Sequence, residues 1–165
     1  MSDPSRKISP VYVVMEEVLM LEAPLHRAWP HVLNYPTWQN YSKVEHIRGP
    51  RGGAGELVIL RKEEKGFSFP PYCARTILIE PERRLIWKTY SAEPGKEADF
   101  FGIVDFKLTA VGRVTRFECS VLYEFNVAYT EEAELGRFRD EQSRNFKGLF
   151  EAVFPKLRKL CEEGH

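Results

Sequence analysis

The chain lacks most of the features that announce a chemistry. Its 24 Lys and Arg are matched by 24 Asp and Glu, scattered among one another, so there is no basic excess or stripe to hold a phosphate backbone, and nucleic acid is not an expected partner. No apolar run reaches the roughly 20 residues that span a bilayer, so stable membrane insertion is not expected. The first residues, MSDPSRKISP, carry no apolar core of a secretory signal, which makes the cytoplasm the expected location. Only three cysteines are present, Cys73, Cys119 and Cys161, far apart and without CxxC spacing. Such a set reads as reduced thiols rather than a disulfide frame or a zinc site. His26 and His31 miss the three- or four-residue spacing that aligns ligands on a helix. A metal or a cofactor is therefore not expected. There is no nucleophile elbow, HExxH, Walker loop or dinucleotide fingerprint either.

What is present is an ordinary globular composition, 43% hydrophobic and 29% charged, in 165 residues. That length suits one domain burying roughly 68–70% of its unfolded surface. Residues 1–10 read as a flexible polar leader and 11–165 as the domain. Val11–Leu21 is β-branched and reads as a strand. It stops at Glu22-Ala23-Pro24, where a helix opens on Pro24 and carries Leu25, Ala28, Trp29, Val32 and Leu33. Pro30 keeps that helix short or kinked. Tyr35-Pro36 opens a second short helix over Pro36–Tyr41. The apolar period then becomes two, predicting strands at Val44–Arg48, Glu56–Lys62, Cys73–Glu80, Leu85–Tyr90, Phe100–Thr109 and Val114–Phe125. Their connections are too short for crossover helices, so the sheet is antiparallel.

The last third predicts a long amphipathic helix. Thr130 is a candidate N-cap, followed by Glu131, Glu132 and Glu134 where the helix dipole favours negative charge. Leu135, Phe138, Phe146, Leu149, Phe150, Val153, Phe154, Leu157, Leu160 and Cys161 fall on one stripe, and Pro155 should bend or break it.

These elements, in this order, resemble the START-like or SRPBCC superfamily, the helix-grip fold of plant pollen allergens, abscisic-acid receptors and polyketide cyclases. The residues that carry the resemblance are Glu22-Ala23-Pro24, Ala28-Trp29, Leu33, Tyr35-Pro36 and Trp38 near the front. Glu80-Pro81-Glu82-Arg83-Arg84-Leu85, Phe106-Lys107-Leu108 and the closing helix follow, so it covers about Val11 to Leu160. The resemblance implies an α+β helix-grip fold, a curved antiparallel sheet of about seven strands wrapped around the C-terminal helix, with two short helices after the first strand. It also implies a pocket between sheet and helix. Tyr35-Pro36 and Tyr123-Glu124-Phe125 are similar to the coenzyme-Q-binding branch.

Strand parity assigns the faces. Thr115, Phe117, Cys119, Val121, Tyr123 and Phe125 share one face, as do Phe100, Gly102, Val104, Phe106 and Leu108; both sets should look inward. Asp105 then points out as a solvated charge. Trp87 shares a face with Leu85. Arg75 shares a face with Ile77 and Ile79, so it is either an inward guanidinium that needs a partner or an outward arginine in a salt bridge. His46 reads as a satisfied, partly exposed histidine. The glycine-rich Gly49–Gly55 lacks a phosphate-loop ending and precedes a strand, so it is a turn. Arg139, Gln142 and Ser143 interrupt the helix stripe; that third of the helix either projects into solvent or lines an opening.

The ligand-facing candidates are Phe67, Phe69, Tyr72, Arg75, Trp87, Tyr90, Phe106, Phe117, Tyr123, Arg139, Gln142, Phe146 and Phe150. Phe67, Phe69 and Tyr72 lie in Glu64–Tyr72 (EKGFSFPPY), unusually apolar for a loop and placed where the receptor branch has its gate. The expected partner is a hydrophobic small molecule such as a lipid, quinone or polyaromatic. The alternative is a polyketide cyclase or dehydratase acting on an aromatic compound in the same cavity, for which Arg75, Tyr90, Tyr123 and Arg139 are candidates by residue type alone. No residue is assigned a catalytic role. A solid-cored interaction module is the third class, and the oligomeric state is left open.

Overall fold

A computed structural model describes residues 5–64, 67–68, 71–92 and 100–163. Strand β1 (Lys7–Leu21) leads through Pro24 into α1 (Leu25–Leu33) and the single turn α2 (Tyr35–Trp38). Strands β2 (Lys43–Arg48), β3 (Leu57–Arg61), the short pair β4 (Glu63–Glu64) and β5 (Phe67–Ser68), then β6 (Tyr72–Glu80), β7 (Arg84–Ser91), β8 (Phe100–Val111) and β9 (Val114–Tyr129) follow. Helix α3 (Glu132–Glu162) closes the chain. Seven strands form one antiparallel sheet in the order β1-β9-β8-β7-β6-β3-β2, and α3 lies along its inner face against β1 and β9. This is the α+β helix-grip architecture, with both short helices in the expected place.

The differences lie at boundaries. β1 begins at Lys7, not Val11, because Lys7–Pro10 pair with Asn126–Tyr129 of a β9 that itself runs four residues beyond Phe125. The second helix is one turn, ending at Trp38. The N-cap of α3 is Glu131 rather than Thr130. Glu134 reaches back to the Glu131 amide at 2.9 Å in a capping box, and the Thr130 hydroxyl donates to the same carboxylate at 2.7 Å. Pro155 does not end α3, which continues to Glu162. The turn at Gly49–Gly55 is structural. Gly49 has φ +87°, and a Cβ there would stand 2.4 Å from the Gly55 carbonyl oxygen. The Glu56 carboxylate holds that turn, accepting from the Gly52 amide at 2.7 Å and meeting His46 Nδ1 at 3.0 Å.

Where α1 and α2 meet the sheet and α3, large side chains are fully buried. The fully buried Trp38 sits among Phe106, Phe117 and Phe154 at ring centroid distances of 5.5, 6.3 and 6.3 Å. Its indole N–H donates to the His31 carbonyl at 3.0 Å, so a large ring is buried with its polar atom paired. Tyr35 stacks on Trp87 at 4.4 Å. The Thr115 hydroxyl donates to the Ala23 carbonyl at 2.8 Å, tying the start of α1 to β9.

Candidate functional site

Beyond that packed end, sheet and helix part to enclose a cavity of about 650 Å³. Parity explains which strand residues reach it. Trp87 and Thr89 of β7, Phe100 and Val104 of β8, and Val121, Tyr123 and Phe125 of β9 all stand on the concave face. From α3 come Phe138, Gln142, Phe146, Leu149, Phe150 and Val153, successive turns of one stripe. Tyr41 and Tyr72 complete the wall from beyond α2 and from β6.

Aromatic rings dominate the lining. Tyr41, Tyr72, Phe100 and Tyr123 follow one another at centroid distances of 5.8 Å each, and Tyr123 meets Phe146 at 4.7 Å. The polar groups are few and mostly neutral. The Tyr41 and Tyr72 hydroxyls are hydrogen-bonded to each other, and Tyr41 also donates to Gln39 at 3.2 Å. Burial pushes both phenols above their ordinary range and does the same to Tyr123, so all three remain protonated donors at neutral pH. Burial likewise raises the Cys119 thiol, leaving it a small apolar lining group rather than a nucleophile. Lys62 is the one charged side chain on the described wall, which carries no carboxylate, histidine or arginine. Among the described residues no cluster of His, Cys, Asp and Glu is placed to hold a metal. The three cysteines are free.

Of the sequence candidates, the structure brings Tyr72, Trp87, Phe106, Tyr123, Gln142, Phe146 and Phe150 to the cavity wall. Four others go elsewhere. Arg75 is exposed on the outer face, because Ala74 and Thr76 are the inward residues there. A bulge between Thr76 and Leu78 then shifts parity, which is why Ile79 packs on the core although Ile77 remains 48% exposed. Tyr90 alternates with the buried Thr89 and faces out, where its paired neighbour is Cys73. Arg139 is exposed beside the stripe, whereas Gln142 lines the cavity and Ser143 is half-buried. Phe117 is fully buried in the packed end, against Phe106 at 4.9 Å and Phe154 at 5.8 Å, and does not reach the cavity. Phe69 lies outside the described residues. For Phe67 only the backbone is described, paired with Glu64 in the β4–β5 hairpin.

Sequence reasoning missed Tyr41, Thr89 and Lys62. The signal for Thr89 was available, since the alternation that turns Leu85 and Trp87 inward turns Thr89 inward with them. Asp105 does point outward, where Arg84 holds it in a two-point ion pair at 3.0 and 2.7 Å.

No protein-family model matches the chain, and no curated protein matches it in sequence. Solved structures do match in fold. Norcoclaurine synthase from Thalictrum flavum, in complex with dopamine and hydroxybenzaldehyde, superposes with a TM-score of 0.67 at 16% identity, covering 95% of this chain and 90% of that one. An uncharacterised protein from Rhizobium leguminosarum gives 0.67 at 14% identity, over 94% and 98% of the two chains. Ara h 8.0201 gives 0.60 at 14% identity, over 88% and 97%. At these identities the likeness is one of fold. No helix among the described residues is long and apolar enough to cross a membrane.

Proposed function

We propose that this protein binds or carries a hydrophobic small molecule, with an aromatic or polycyclic body such as a quinone or polyketide, in the cavity between sheet and α3, and does so in the cytoplasm. One observation carries the reading: about 650 Å³ walled by aromatic rings with scarcely a charge, the usual composition of a site for an apolar ligand oriented by a few polar groups. The complex of norcoclaurine synthase with dopamine and hydroxybenzaldehyde is consistent with this use of the fold.

The wall supports binding over catalysis. A cyclase or dehydratase needs a positioned acid or base of matched pKa. Three of the four residues considered for that work, Arg75, Tyr90 and Arg139, stand outside the cavity. The fourth, Tyr123, is held neutral by burial.

The test is saturable binding of the uncharged probe N-phenyl-1-naphthylamine, followed by fluorescence. One site per chain is expected in the wild type. Val121→Phe, which fills the cavity with apolar volume, should weaken it by about tenfold or more. Equal affinity in the two proteins would place the probe elsewhere and overturn the assignment.

A further inference from the structure

One row of residues across the sheet is built differently from its neighbours. Thr89, Gly102 and Tyr123 pair successively across β7, β8 and β9. A Cβ on Gly102 would stand 2.5 Å from Tyr123 Cε1 and 2.7 Å from Thr89 Oγ1. The missing side chain is therefore what lets the tyrosine ring lie down across β8, beside the threonine hydroxyl. Thr89 is 1% exposed, and its Oγ1 makes no well-formed hydrogen bond among the described residues, although it interacts with the neighbouring Tyr123 hydroxyl. A buried hydroxyl left unpaired costs about 1–3 kcal/mol, and valine would fill the same volume without that cost. Polar groups so placed call for a partner from inside the cavity.

We propose that the cavity orients its ligand by a single uncharged oxygen, a hydroxyl or carbonyl, seated between Thr89 and Tyr123, with the aromatic or polycyclic body lying against Phe100 and Phe146. This rests on the cavity being a ligand site. The Tyr41–Tyr72 hydroxyl pair continues the same neutral wall. Among the described lining residues only Lys62 is charged, so a carboxylate or phosphate at this depth would lose its hydration for little return, and the subsite favours neutral oxygen.

Calorimetric titration with naphthalene and 2-naphthol, alike in shape and differing by one hydroxyl, tests this. The wild type should bind 2-naphthol about tenfold more tightly than naphthalene. Thr89→Val, and independently Tyr123→Phe, should erase most of that preference. Equal affinity for the two probes in the wild type, or a preference that survives in Thr89→Val, overturns the subsite and leaves the cavity reading intact. Failure of both probes to bind overturns the cavity reading itself, and the subsite with it.

Discussion

The two ends of α3 make contrasting uses of one amphipathic pattern. In its second half Phe150, Val153, Phe154, Leu157 and Cys161 are buried against the sheet and the two short helices. In its first half Leu135, Phe138, Gln142 and Phe146, on the same stripe, are only half-buried. The difference comes from what stands opposite. Near the second half, Trp38, Phe106, Phe117 and Phe154 pack ring against ring. Near the first, the Tyr123 ring lies over Gly102 beside the short Thr89, and the rings of Phe100, Tyr123 and Phe125 line a volume that stays open. An apolar stripe thus records that a helix faces a sheet. It does not record whether the space between them is filled.

Mutations that shorten a ring should separate the two ends most sharply. Phe117→Ala removes a fully buried ring from the packed end and should cost about 3–5 kcal/mol of unfolding free energy in urea. Phe146→Ala borders the cavity and leaves no new enclosed void, so about 1 kcal/mol or less is expected, with a loss of probe affinity instead. Equal costs at the two positions would mean that the cavity end is as tightly packed as the other.

Adding an atom should have a middle-sized effect. Gly102→Ala places a methyl where Tyr123 and Thr89 already are, so it should cost about 1–3 kcal/mol by overpacking and displace the tyrosine ring into the cavity. Probe binding should fall together with stability, whereas an alanine accepted without change in either would show that the row is looser than its distances imply.

The smallest effect at neutral pH belongs to the tyrosines. Burial raises Tyr35, Tyr41, Tyr72 and Tyr123 above the ordinary phenol value of 10.0, so the folded state favours their neutral form. Their contribution is fully present below that value and is lost as the pH rises through the folded pKa values, because only the unfolded chain ionises readily there. Phenolate absorbance should therefore show these tyrosines titrating late and together with alkaline unfolding, and urea midpoints should not change between pH 7 and 9 on their account. Normal titration of all seven tyrosines in the folded protein would mean that the cavity wall is open to water.

Much of the fold was legible because it rests on local patterns. Period-two alternation placed β6 to β9, Pro24 and Tyr35-Pro36 announced the short helices, and the apolar stripe announced α3. The site was legible only where parity ran uninterrupted, as along β8 and β9. It failed at Arg75, where the Thr76–Leu78 bulge shifts the register, and at Tyr90, chosen by side-chain type against the parity of its own strand. It failed again at Phe117, because a pattern that says inward does not distinguish a packed neighbour from an open one.

By itself, then, the sequence determined an antiparallel sheet gripping a long C-terminal helix, with two short helices after the first strand. These follow from periodicity and from residue types, which act over a few residues. Tertiary structure alone decided where the interior is filled and where it is hollow, and which hydroxyl was left without a partner. Those outcomes depend on how β7, β8 and β9 align side by side, bringing Thr89, Gly102 and Tyr123 into one row from positions far apart in the chain. No pattern within a single strand carries that alignment.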